Sequence, residues 1–250
     1  MSEISKTSKL LLDVAHDWLA EKSHIIEPPF NVEILQNEAD IQASRRFTAE
    51  IFVKLGKITP DSLEGGIPID DPYHKISTYF AAYQPGADGE RQMVSTARLV
   101  WSPQTTINDM RMPVDTLRPE SAKCLLSQPP GAVAEIGALV KTKGVSTAAT
   151  LKMFREMFQF GERNKIHYLV CGLQPKLYPS YQQMFGGALE KLSDENIYFP
   201  GVSDPQVPLK IDLLYSYGKQ KQAMRNKSLG ERAVAAVVRN YFKSKIPTLQ

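Results

Sequence analysis

The chain has 250 residues, 42% of them hydrophobic and 23% charged, with a formal net charge of +3. Those values fit a globular protein with one good-sized core, argue against disorder, and give no reason to expect nucleic acid. No apolar run approaches the ~20 residues of a membrane span, and the two cysteines, Cys124 and Cys171, are too far apart in sequence to suggest a disulfide framework.

The first residues carry no basic start and apolar middle of a secretion signal, so a cytoplasmic protein is expected. No Cys/His cluster has zinc spacing, so no metal is expected. Residues 9–21 place Leu11, Leu12, Val14, Ala15, Trp18 and Leu19 at helical spacing, and Pro28 and Pro29 end that region. Residues 32–35 read as a strand. Residues 38–55 read as a helix with Ile41, Phe47, Ile51 and Leu55 on one stripe. Glycines and prolines break 56–72 into a loop. Two β-rich runs, 75–83 and 91–101, flank turn residues 84–89 and predict a hairpin. A short helix is expected over 119–126, after a polar, proline-punctuated stretch.

The second half is more regular. Residues 132–140 and 166–173 are apolar runs expected as buried strands. A helix is predicted over 147–163, with Leu151, Phe154 and Phe158 on one face, and another over 175–185 with Pro175 in its first turn. Strands at 197–199 and 209–217 and a basic helix over 222–245 complete the chain. This order suggests an α/β layer fold on one mixed sheet.

The most informative segment joins the strand ending near Val140 to the helix starting near Thr147. The first N–H groups of a helix have no internal partner and sit in positive potential, which suits a phosphate. Gly144 allows close backbone approach. Lys141 and Lys143 add charge, and Ser146 or Thr147 can cap the helix. An ordinary strand–helix junction with surface lysines explains the same residues.

This junction, Lys141-x-x-Gly144-x-Ser146, resembles the pyrophosphate turn of GNAT N-acyltransferases, whose signature is Gln/Arg-x-x-Gly-x-Gly/Ala. Four further segments resemble one branch of that family, the acyl-homoserine-lactone (autoinducer) synthases and long-chain N-acyl amino acid synthases. They are Arg45-Arg46-Phe47, Asp71-Pro72-Tyr73-His74 before a strand, and Ala97-Arg98-Leu99 followed by Glu135-Ile136-Gly137-Ala138-Leu139. The similarity spans about 32–217. His74 stands where an acid is usual and Ala138 where an arginine is usual, which points away from homoserine-lactone synthesis itself.

The resemblance implies a single, largely antiparallel GNAT-like sheet over 31–218, an N-terminal helical extension over 1–30 and a basic C-terminal helix over 219–250. It implies an N-acyltransferase that moves an acyl group from acyl-CoA or an acyl carrier protein phosphopantetheine thioester to a small amine such as an amino acid. The alternatives are an acetyl-CoA-dependent acetyltransferase and a non-catalytic member that binds an acyl ligand or a partner protein.

Glu135 is the candidate base, or else a buried acid paired with Arg98 or another cation. Tyr181 is the candidate proton donor to the leaving thiolate, or else a packing tyrosine. Backbone N–H groups near Leu139 to Lys141 can donate to the thioester carbonyl. Lys141, Gly144, Ser146 and Thr147 are expected at the donor phosphate. Arg46, Asp71, His74 and Arg98 are expected to order the acceptor, since arginine binds carboxylates bidentately. His167 and Cys171 read as core residues. The basic tail packs on the domain, steers an acidic carrier protein, or lies on anionic membrane lipid; its composition suits all three.

Overall fold

The computed structural model describes residues 30–213, except 87, 88, 186, 187, 201 and 203. The helices expected over 9–21 and 222–245, and the end of the strand expected over 209–217, lie outside the described residues.

Strand β1 (Asn31–Ile34) leads into helix α1 (Glu38–Lys54). The Asn37 side chain caps α1 by accepting from the Asp40 N–H at 2.8 Å, and Glu38 and Asp40 place acids where the helix dipole favours them. Two-residue strands β2 (Leu63–Glu64) and β3 (Ile67–Pro68) form a small hairpin in the loop after α1. The large hairpin β4 (Ser77–Pro85) and β5 (Arg91–Val100) comes next, and then helix α2 (Pro119–Leu126). Strand β6 (Val133–Lys141), helix α3 (Thr147–Arg163), strand β7 (Tyr168–Leu173) and helix α4 (Tyr178–Phe185) continue the chain. Strands β8 (Leu189–Lys191) and β9 (Val207–Asp212) close its described part.

The main sheet has seven strands in the order β1-β4-β5-β6-β7-β9-β8. Every pairing is antiparallel except β6 with β7. Helix α3 lays Leu151, Met153, Phe154 and Met157 against one face, where they join Phe80, Leu99, Leu169 and Leu209 in the larger core cluster. The other face carries α1, α2 and the loop between β5 and α2, with Val100, Met110, Met112, Val170 and Phe199 in a second cluster.

The strand expected at 209–217 is met over 209–212 by β9, whereas the strand expected at 197–199 is corrected. The closing hairpin is β8 with β9, and Ile197 makes only an isolated bridge to Gln206. The helix expected over 175–185 begins as a 3₁₀ turn, Pro175–Leu177, and continues as α4.

Two irregularities of β6 open the sheet at its centre. Its parallel pairing with β7 runs only from Val133↔Tyr168 to Glu135↔Val170, so the two strands are unpaired to each other beyond that point. Its register with β5 shifts between Thr96 and Arg98, and Ala138 at this bulge has φ 53°. A non-glycine residue in the left-handed region costs roughly 1–2 kcal/mol, so the surrounding pairing holds it there.

Candidate functional site

Where β6 and β7 part, a cavity of about 420 Å³ runs between them. That volume falls in the range of sites for small organic ligands. From the α3 face its walls include Phe154, Tyr181, Leu209 and Ile211. From the α1 face they include Ile51, Phe52, Phe199 and Val202. Ile136, Ala138 and Leu139 of β6 face Cys171, Gly172 and Leu173 of β7 across the gap. Arg111 and Lys141 bring charge to its lining.

A cluster of charges lies beside this opening on the α1 face. Arg98 Nη1 donates to both oxygens of Asp71, at 2.9 and 2.7 Å, and the two side chains are each only 11% exposed. Arg45 Nη2 lies 3.6 Å from the same carboxylate. Burial pulls the Arg98 pKa down, but the Asp71 carboxylate and the Tyr79 hydroxyl outweigh it and hold it above the ordinary value. Burial likewise raises the Tyr79 phenol, with Arg98 opposing. His74 Nδ1 sits 3.1 Å from the Tyr79 hydroxyl, and its Nε2 is 3.8 Å from Glu38.

Glu135 is completely buried. Its Oε2 accepts from the Arg111 backbone N–H at 2.7 Å, and its Oε1 accepts from Arg111 Nε at 2.7 Å. Arg111 Nη2 also reaches Oε1 at 2.7 Å. The partner of Glu135 is therefore Arg111, not Arg98. Gly137 explains how both arginines fit. A Cβ there would meet Arg111 Nη2 at 2.9 Å and Arg98 Nε at 3.3 Å, so the bare strand is the floor on which two guanidiniums lie. The Nε atoms of Arg45 and Arg98 are buried without a hydrogen-bond partner.

The remaining expected residues separate. Arg46 is exposed and donates to the Gly65 carbonyl at 3.2 Å, on the β2–β3 hairpin. Arg45, one position earlier, is the arginine that reaches Asp71. Asp71, His74 and Arg98 do come together. Tyr181 lines the cavity, packed edge-on against Phe154 with ring centres 5.9 Å apart, and burial pushes its pKa up to about 12. Burial also lifts the Cys171 thiol to about 12, with the Glu135 charge adding to it, so Cys171 is a neutral thiol in the cavity wall. His167 lies just before β7, half-buried, with Nδ1 3.2 Å from Gln128 Oε1.

At the end of β6, Lys141 Nζ donates to the Val145 carbonyl and folds over its own turn. Gly144 has φ 89° and open space around it. Ser146 caps α3 by accepting from the Ala148 N–H at 3.2 Å. Thr147 is the first residue of α3. Leu139 lies on the bulged part of β6 and lines the cavity.

Arg111 is the residue that sequence reasoning missed. Its signal was present: it stands between Met110 and Met112, both buried, so a loop that looked polar turns inward there.

No protein-family model and no curated protein matches this sequence. Solved structures do match. The N-acyl amino acid synthase FeeM from uncultured soil microbes is 14% identical, covers 80% of this chain and 99% of its own, and superposes with a TM-score of 0.58. The acyl-homoserine lactone synthase LasI is 15% identical over 76% of this chain and 95% of its own, with a TM-score of 0.54. The CoA-dependent acyl-homoserine lactone synthase BjaI, solved with SAM and isopentyl-CoA, is 13% identical over 80% and 93%, with a TM-score of 0.51. The chain has a GNAT-like acyltransferase fold. In this chain the parting from β7, the bulge against β5 and the turn into α3 follow one another along β6. Among the described residues no group of His, Cys, Asp and Glu could hold a metal, and no helix is long and apolar enough to cross a membrane.

Proposed function

We propose that this chain is an N-acyltransferase that moves an acyl group from a phosphopantetheine thioester, on acyl-CoA or an acyl carrier protein, to the amine of a small acceptor such as an amino acid. The observation that carries the reading is the cavity through the split sheet, apolar along most of its wall and edged by the arginine cluster. An apolar passage suits an acyl chain, and buried guanidiniums with unused N–H groups suit a carboxylate on the acceptor.

Chemistry in this site rests on placement and polarisation. The thioester carbonyl would lie at the β6 bulge, where backbone N–H groups near Leu139 to Lys141 would stabilise the oxyanion. Asp71, Arg98 and His74, joined by Arg45, would order the acceptor. Both oxygens of Glu135 are engaged by Arg111, so Glu135 acts as a positioning residue that fixes Arg111 beside the acceptor. Burial holds Tyr181 at about 12, so the phenol stays protonated in the cavity wall. Its role is a hydrogen bond to the departing sulfur.

The donor phosphate would sit at the turn formed by Lys141, Gly144, Ser146 and Thr147. Gly144→Val should raise the donor KM by about tenfold. The added side chain meets nothing, but φ 89° costs a β-branched residue on the order of 1–3 kcal/mol and rearranges the turn. Lys143→Ala should change KM less than twofold, because an exposed lysine contributes only a screened charge. Equal, small effects in folded variants would leave the turn a purely structural junction.

The closed pairing of Glu135 favours a second reading, a member of the fold that binds an acyl ligand without turning it over. One assay separates the two. Purified protein is incubated with acyl-CoA or acyl carrier protein thioesters and mixed amino acids, thiol release is followed, and products are identified by mass spectrometry. N-acyl amino acids support the first reading. Thioester binding without thiol release supports the second.

A further inference from the structure

Resting on that acyltransferase reading, we propose that Phe199, seated on the bare backbone of Gly172, is the wall that limits which acyl chains the cavity accepts. A Cβ built on Gly172 would lie 2.7, 2.9 and 3.0 Å from three atoms of the Phe199 ring. The ring therefore lies directly on strand β7 at a position where any side chain would displace it. Gly172 and Phe199 both line the cavity at the gap between β6 and β7. Phe199 is 4% exposed and shares the second core cluster with Val170, Leu192 and Ile197. One edge of the ring belongs to the core and the other to the cavity.

The segment that carries the ring is tied at both ends. Ile197 and Gln206 exchange backbone hydrogen bonds of 2.8 and 2.7 Å, and Val202 N–H donates to the Phe199 carbonyl at 3.0 Å. Asp204 pairs with Lys57, which reaches it from beyond the end of α1. A tethered segment holds its ring in place, so the ring sets a fixed boundary. The contact then works in both directions. Shortening residue 199 removes wall and lengthens the cavity. Adding a methyl at 172 drives the ring off β7, and the open side available to it is the cavity.

The test is a chain-length profile. kcat/KM is measured for a series of saturated acyl-CoA donors with the wild type, Phe199→Ala, Phe199→Leu and Gly172→Ala. Binding of the matching free fatty acids is followed in parallel by thermal shift, which needs no turnover. Phe199→Leu keeps the core filled if the alanine variant unfolds. Phe199→Ala and Phe199→Leu should move the preference to longer chains, and Gly172→Ala to shorter ones. The ratio between neighbouring donors should change about tenfold or more for each methylene gained or lost. An unchanged profile in folded variants, with active wild type, overturns the role of Phe199 and leaves the acyltransferase reading intact. A wild type that neither turns over nor binds any of these chains overturns both.

Discussion

Arg111→Ala should lower stability by about 3–5 kcal/mol, because it leaves the Glu135 carboxylate buried without its cation. Glu135 has no solvent to fall back on, being completely buried, and only the Arg111 backbone N–H would remain to it. For a domain of this size the melting temperature should fall by roughly 10 °C or more. Glu135→Gln should show the same loss from the other side. It keeps the size of the side chain but turns one acceptor into a donor that faces Arg111. A general base would behave otherwise, losing turnover while stability stayed near wild type. Thermal denaturation and steady-state kinetics on the two variants distinguish these outcomes. The double variant Arg111→Met/Glu135→Met should be more stable than either single replacement, since it removes both charges together. If each single variant melts like the wild type, the pair does not hold the 101–118 loop to β6.

The fold was legible in the sequence wherever its signals are local. Helices α2 and α3 run over the ranges expected from sequence for that reason. Pro119 opens one, Ser146 caps the other, and an apolar stripe of 3.6-residue period runs down α3. The choice between Arg45 and Arg46 was also local. Ser44 and Ala49 are the buried residues of α1, and Arg45 stands four residues before Ala49, on the inward side. Two adjacent arginines look alike until that helical rotation is applied. Strand β8 was missed for a different reason. Leu189–Lys191 is three residues long, too short to show a period, and it exists only because β9 supplies partners.

The cavity itself could not be read from sequence. It arises because β6 pairs with β7 over three residues and then stops, and both runs look like ordinary buried strands. Ala138 hides the bulge further, since an alanine in an apolar run gives no sign of positive φ. The pairing of Glu135 shows the same limit. The sequence marks a buried acid that needs a cation, but not which of several arginines the loop delivers. Gly137 is the residue that decides it, by leaving room for two of them.

Asp71→Asn should be the most damaging change within the arginine cluster. Asp71 is the carboxylate that both Arg98 and Arg45 approach, and it is 11% exposed, so water and salt screen it poorly. Its loss leaves Arg45, Arg98 and Arg111 with only Glu135 as counter-charge, and Glu135 is already committed to Arg111. Stability should fall by about 3 kcal/mol or more, the range for stranding a buried charge. Arg98→Ala should cost less, since Arg45 remains 3.6 Å from the Asp71 carboxylate. The two variants should also respond differently to ions. Repulsion among three guanidiniums is relieved by a bound anion, so added acetate or chloride should restore part of the stability lost in Asp71→Asn. The same salts should do nothing for Arg98→Ala, where no excess positive charge has been created. Denaturation midpoints across a salt series measure this, and acceptor KM measured alongside reports on the site. A variant Asp71→Asn with wild-type stability and no salt dependence would mean that the cluster is neither strained by its charge nor open to an anion, and the acceptor would then have to be sought elsewhere along the cavity.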